Sequence, residues 1–173
     1  MKRMSPRALA ITFALIGVGV ALDQWTKAWA AARLPSGPVD LIPKALTLAY
    51  VENRNAAFGL FSFLPDGVKA PVLLALTSVL TVVLVVAMVR STDLASQIGF
   101  AATVSGALGN IVDRIWLHYV RDFIYWHGGF QWPNFNVADM LVCVGVGVLV
   151  VLGRSDKKKD EAEKKPEGAA AKS

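Results

Sequence analysis

Between positions 110 and 139, polar residues interrupt sequence that otherwise reads as lipid-embedded: Asn110, Asp113, Arg114, Asp122, Asn136 and Asp139. An ionisable group at membrane depth costs roughly 2.5–3.5 kcal/mol even on the lenient insertion scale, so several together need a chemical reason. Asp139 stands just inside an apolar segment with no cation within four residues on either side. Asp122 has Arg121 beside it, but adjacent side chains on a helix point apart. A carboxylate with no local partner at this depth requires either a distant partner or a proton. Two such groups brought together would share one proton, because like charges push their ionisations apart. That is what an aspartyl protease requires: the ionised carboxylate activates water while the protonated one polarises the scissile carbonyl.

Other chemistries fare worse. His118 and His127 have no carboxylate or thiolate motif around them, so no metal site is expected. Cys143 lies one turn deeper than Asp139 and reads as a small packing residue, with no second cysteine for a disulfide. Ser105 lacks a base within sequence reach, and the glycines form no phosphate-binding loop. No cofactor is implied.

These residues must be held by helices in a bilayer. The chain is 54% hydrophobic over 173 residues, with a mean hydropathy of +0.47, too apolar for an ordinary soluble domain. Four apolar segments are expected as transmembrane helices, approximately 8–32, 70–89, 94–112 and 137–152. A cleaved signal peptide competes for the first, but Asp23, Gln24 and Lys27 fall where such peptides rarely carry charge. Pro71 fits the first turn of the second helix. The third carries Gly99, Gly106 and Gly109, small residues that let helices approach closely in lipid. The net charge of +5 is no nucleic-acid signal, because basic residues collect at both ends of the chain. That distribution places both termini in the cytoplasm and the two long connections outside.

In the first connection, alternation over 39–41 and 46–51 predicts a small extracytoplasmic β element. Phe58, Leu60, Phe61 and Phe63 predict an apolar flap or an interfacial helix within 53–63. Gly128 and Gly129 mark an irregular turn in the second connection. Trp25, Trp29, Trp116, Tyr125, Trp126 and Trp132 fall where an outer aromatic belt would lie. The tail, 154–173, has almost no apolar content and is expected to be disordered. The fold class is thus an all-α integral membrane protein of four spans with a small β element.

Helical spacing puts the polar groups on shared stripes. Gly106, Asn110, Asp113 and Arg114 follow i, i+4, i+7, i+8, and Asn136, Asp139, Cys143 and Gly147 follow i, i+3, i+7, i+11. Asp23 and Lys27 form an i, i+4 pair at the same outer depth. Taken singly, Asp23, Lys27, Asn110, Asp113 and Arg114 read more simply as structural ion pairs and interhelical hydrogen bonds. Asp122 and Asp139 resist that reading.

At these residues the chain resembles the lipoprotein signal peptidases, the bacterial type II signal peptidases. Five blocks match in order: DQWTK (23–27), NRNAAFG (53–59), SGALGNIVDR (105–114), VRDF (120–123) and PNFNVAD (133–139). The third and fifth at this separation are highly specific; DQxxK alone would be weak. The resemblance implies a four-helix inner-membrane aspartyl protease acting near the extracytoplasmic face, and the chain is expected to be a monomer. Its substrates would be lipid-modified prolipoproteins, cut just before a cysteine that carries a diacylglyceryl group. The family's catalytic pair falls on Asp122 and Asp139. Supporting or substrate-positioning roles fall on Asn53, Gly106, Asn110, Asp113, Arg114 and Asn136, with Arg114 either bracing Asp113 or touching substrate. Asp23 and Lys27 would be structural. Asn55 and Ser105 stand where the family commonly has glycine, which bears on loop conformation more than on catalysis. Two rival readings are a small proton-coupled transporter, whose carboxylates relay protons, and a membrane scaffold whose polar face serves assembly.

Overall fold

The computed structural model describes residues 5–55, 61 and 63–163. Its helices are α1 (Pro6–Arg33), α2 (Asp66–Arg90), α3 (Leu94–Leu117) and α4 (Val137–Glu163), and its strands are β1 (Val39–Ile42), β2 (Leu46–Asn53) and β3 (Val120–Trp126). The protein is therefore mostly helical with one small antiparallel sheet, in the order β1-β2-β3. Helices α1 and α2 are long and apolar enough to cross a bilayer, and α4 contributes a shorter apolar stretch, Val137–Gly153.

Local chemistry sets the ends of these elements. Ser5 caps α1, its Oγ accepting from the Ala8 N–H at 3.2 Å, with Pro6 at the first helical position, where its missing N–H is no loss. Asp93 caps α3 by accepting from the Ser96 N–H at 2.7 Å. Gly37, at φ 140°, releases the chain into the sheet through a backbone conformation closed to other residues.

Several boundaries differ from expectation. Helix α2 begins at Asp66, so Pro71 lies in its second turn. There the missing N–H leaves the carbonyl of Gly67 without its usual helical donor. Helix α3 continues past the expected end at 112 to Leu117, so it includes Asp113 and Arg114, as their helical spacing with Gly106 and Asn110 required. Helix α4 runs on through Glu163 into the stretch expected to be disordered, since Lys, Glu and Ala are strong helix formers even without an apolar face. The flap or interfacial helix expected within 53–63 falls largely on residues 56–60 and 62, outside the described residues. The β element is present, but the sheet has a third strand, β3, drawn from the second connection. The VRDFIYW run is rich in β-branched and aromatic residues, which favour strand.

The third helix is the hub of the bundle, packing against α1, α2 and α4. Its glycines allow this closeness. A Cβ on Gly106 would collide with the Ala138 carbonyl oxygen of α4, and one on Gly109 would collide with Asp23 Oδ2 of α1. Ile16, Met88, Ala101 and Val104 form an apolar core among α1, α2 and α3. A second core of Ala30, Leu34 and Phe123 seats the sheet on the bundle.

Polarity runs inside out relative to a soluble protein. Asp23, Lys27, Asp113, Asp122 and Asn136 are buried, while Ile11, Leu15, Val18, Val79, Val82 and Val83 face outward. An apolar exterior around a polar interior is what lipid solvation selects. Trp25 and Trp116, 67% and 76% exposed, lie on that exterior.

Candidate active site

The sheet register delivers the first carboxylate. In the β2–β3 pairing Val51 faces Asp122 and Asn53 faces Val120, so Asn53 and Asp122 are diagonal neighbours on one face. Asn53 Nδ2 donates to Asp122 Oδ2 at 2.8 Å. Because strand side chains alternate, Arg121 leaves by the opposite face.

A loop pinned to β3 delivers the second. Phe135 donates its N–H to the Ile124 carbonyl at 3.0 Å, and its own carbonyl accepts from the Phe123 and Ile124 N–H groups. Asn136 then starts α4 with a reciprocal cap. The Asp139 N–H donates to Asn136 Oδ1 at 3.0 Å, and the Asn136 N–H donates to Asp139 Oδ2 at 3.1 Å. This is a capping box built from Asn and Asp, with the carboxylate at the positive end of the helix. The same Asn136 reaches across to β3, where Nδ2 donates to Asp122 Oδ1 at 2.6 Å. One residue therefore holds both acids, by its side chain and by its backbone. Asn110, from α3, completes the set by donating Nδ2 to Asp139 Oδ1 at 2.8 Å.

Asp122 is almost wholly buried. Burial, followed by the charge of Asp139, pushes its carboxyl up to about 7 against the opposing donors Asn53 and Asn136. Both acids line a cavity of about 810 Å³, together with Arg114, Asn110, Trp132 and Phe135.

Beside this site lies a second polar cluster, built from paired charges. Lys27 Nζ lies 2.8 Å from Asp23 and 3.6 Å from Asp113. Arg121 grips Asp113 through Nη2 at 2.7 Å, and its backbone N–H donates to the same carboxylate at 2.9 Å. Gln24 threads between them, donating to Asp23, Asp113 and the Gly109 carbonyl and accepting from Arg121. Asp23 also accepts the otherwise orphaned N–H of Ala138 in the first turn of α4, at 2.9 Å.

The expected single stripe on α3 is thus divided. Asp113 turns toward α1 and β3, while Arg114, one position on, lines the cavity and donates to the Asn110 carbonyl at 3.3 Å. Successive helical residues are about 100° apart, so the two cannot share a direction. Asp113 is paired with Arg121 and Lys27, which removes the option of Arg114 as its brace. Gly106 contributes closeness to α4 instead of a polar contact. Cys143 is exposed and lines the cavity, where packing had been expected. Arg121 and Gln24 were missed. The expectation for Arg121 assumed helical neighbours, whereas the β-branched and aromatic content of VRDFIYW carried the signal for a strand, on which it turns away from Asp122. Asn53, Asn110, Asp122, Asn136 and Asp139 converge; Asp23, Lys27 and Asp113 form the adjoining ion cluster. Among the described residues there is no group of acids, histidines and cysteine able to hold a metal.

Residues 15–153 match the family model for signal peptidase (SPase) II. The chain belongs to the signal peptidase II family. Similar relatives include lipoprotein signal peptidases of Oleidesulfovibrio alaskensis, 39% identical over 82% of this chain and 92% of the relative, and of Clostridium novyi, 40% identical over 79% and 93%. A solved bacterial membrane enzyme, determined by the in meso method at 2.3 Å resolution, superposes with a TM-score of 0.76 at 25% identity. That likeness covers 95% of this chain and 96% of the other. Membership makes the chain a peptidase of a membrane-enzyme family and sets aside the transporter and scaffold readings.

Proposed function

We propose that this signal peptidase II family member is an aspartic endopeptidase of four transmembrane spans, with Asp122 and Asp139 as its catalytic pair. Its substrates are prolipoproteins carrying a diacylglyceryl-modified cysteine, and the bond cut is the one on the N-terminal side of that cysteine. It sits as a monomer in the bacterial inner membrane with both termini cytoplasmic and the pair near the outer face. The observation that carries this reading is Asn136, whose carboxamide binds Asp122 while its backbone binds Asp139. Two acids from different elements are thereby gathered at one cavity.

Asp122, held neutral up to about 7, is the proton donor. Asp139, held by the N–H groups of Asn136 and Asn110 at a helix N-terminus, is the base. Asp139 takes a proton from water as the water oxygen bonds to the scissile carbonyl carbon. Asp122 delivers its proton to the carbonyl oxygen, giving a neutral tetrahedral diol. Collapse breaks the C–N bond, with a proton passing to the departing amine of the lipidated cysteine and another returning to Asp122. The substrate's lipid fixes the depth of the scissile bond, so the bilayer supplies register before any side chain acts. The cavity's apolar wall, with Trp132, Phe135 and Val142, suits lipid or signal-peptide side chains, and Arg114 faces the substrate. Asn53, Asn110 and Asn136 orient the acids, while Asp23, Lys27 and Asp113 brace α1, α3 and β3.

The test is a gel-shift assay on a diacylated precursor with wild type, Asp122→Asn and Asp139→Asn. Cleavage by the wild type and none by either folded variant is expected. Near wild-type processing by either variant defeats the assignment.

A further inference from the structure

The ion cluster and the acid pair are joined at one point. Lys27 Nζ, wholly buried, donates to Asn110 Oδ1 at 2.9 Å, and Asn110 Nδ2 donates onward to Asp139 Oδ1 at 2.8 Å. An ammonium has three N–H donors and no acceptor. Here they face Asp23, Asp113 and Asn110. A carboxamide's oxygen and nitrogen are nearly equal in size, so its direction is set by what lies at each end. Reversed, Asn110 would turn N–H toward the ammonium and a carbonyl toward the carboxylate, a conflict at both ends. The second donor to that oxygen, Asn136 Nδ2 at 3.2 Å, is longer and is already committed to Asp122 at 2.6 Å.

We propose that Lys27 is a positioning residue for the reaction, holding the Asn110 carboxamide oxygen so that its nitrogen always presents a donor to Asp139 and thereby making Asp139 the ionised, water-activating member of the pair. The inference rests on the Asp122–Asp139 reading above. Without Lys27, a reversed Asn110 loses the penalty at the ammonium and keeps those at Asp139 and at the longer Asn136 contact. A proton moved from Asp122 to Asp139 relieves the penalty at Asp139, because a protonated Asp139 donates to the reversed carbonyl. The pair then carries its proton on the wrong acid. The other charged or titratable groups around the cavity are Asp122 from β3, Arg114 from α3, Lys69 from α2, Glu52 and Arg54 at the end of β2, and Cys143 on α4 itself. Lys27 differs from all of these in acting through an amide from behind the site.

Removing Lys27 alone would leave Asp23 and Asp113 short of a cation, so the variant tested is Asp23→Asn/Lys27→Met, which removes one charge of each sign and is compared with wild type, with Asp23→Asn as the control for the lost carboxylate. The folded fraction is read by thermal melting in detergent. The double variant should lose roughly 10- to 100-fold in kcat at little change in KM, the scale of a displaced reacting group. The acid limb of its pH profile should move to higher pH, because a carboxylate that loses a donor ionises at higher pH. Adding Asn110→Ala should then cost nothing more, since both changes cut the same link. Independent, multiplying losses with an unmoved acid limb are the mark of a merely structural Lys27 and overturn the proposal. Should the Lys27 variants not fold, Asn110→Asp decides. It keeps the Lys27 contact but offers Asp139 an acceptor, and must be slower than Asn110→Ala. Equal or faster cleavage overturns the inference. Cleavage by Asp139→Asn shows instead that the acid-pair reading has failed, and this proposal with it.

Discussion

Two polar clusters lie side by side in this bundle, and they are solved differently. Around Asp113, two carboxylates meet an ammonium and a guanidinium, with Gln24 filling the remaining hydrogen-bonding positions. Around Asp122 and Asp139, two carboxylates are held by the carboxamides of Asn53, Asn110 and Asn136. Amides fix direction without neutralising charge, so the proposed reading puts one proton between the acids. On that reading the first cluster is structural and the second is the reactive one. Buried charge in a membrane protein is therefore no guide to reactivity until its partners are known.

The largest expected effect separates the clusters outright. Asp139→Asn or Asp122→Asn should lower cleavage of a diacylated precursor by at least about 10³-fold, the upper range for lost acid–base groups, with the melting temperature preserved on the acid side of the Asp122 transition. Asp113→Asn should do the opposite. Uncovering the facing cations should destabilise the fold by about 3–5 kcal/mol, read by thermal melting, with activity falling in step with the folded fraction.

The acid pair should also respond to pH where the ion cluster does not. Cleavage that needs protonated Asp122 should decline in kcat/KM as pH rises through about 7. The folded-state value lies above the ordinary 3.8. The neutral carboxyl's contribution to stability is therefore complete below about 4 and is lost as pH climbs through about 7. Asp122→Asn should remove that decline, so melting curves of wild type and variant should diverge on the alkaline side. A wild-type melting temperature that is flat across that window would count against a burdened Asp122. The smallest effect belongs to Gln24→Ala, which should cost about 1–3 kcal/mol in melting experiments through the groups it leaves unsatisfied. Its turnover per folded molecule should match wild type, and a large kcat loss would blur the line between the clusters.

How much of this was legible beforehand can be traced residue by residue. The spacing of Asp23 and Lys27 was enough to predict their pairing, because i, i+4 geometry is local. Asn136 and Asp139 likewise lie within one turn, and their reciprocal cap follows from that spacing. The partner of Asp113 was not legible, because it lies on a strand whose hydrogen-bonding register is set by β2. Arg121 looked idle beside Asp122 only under a helical assumption; on a strand it faces the other way and holds α1 and α3 together.

From the sequence alone came the apolar helices, the small β element, the family's five motifs and the identity of the two candidate acids. All of these depend on composition, on short-range periodicity or on residues close in the chain. The tertiary structure decided which carboxylates meet opposite charges and which meet amides. Asp113 and Asp122 are both buried aspartates with an arginine next to them in the chain, and that local spacing says nothing of the groups each meets in space. What separates them is distance in space to Lys27, Arg121 and three asparagines carried on other elements. Electrostatic energy depends on that distance and on burial, neither of which sequence order fixes.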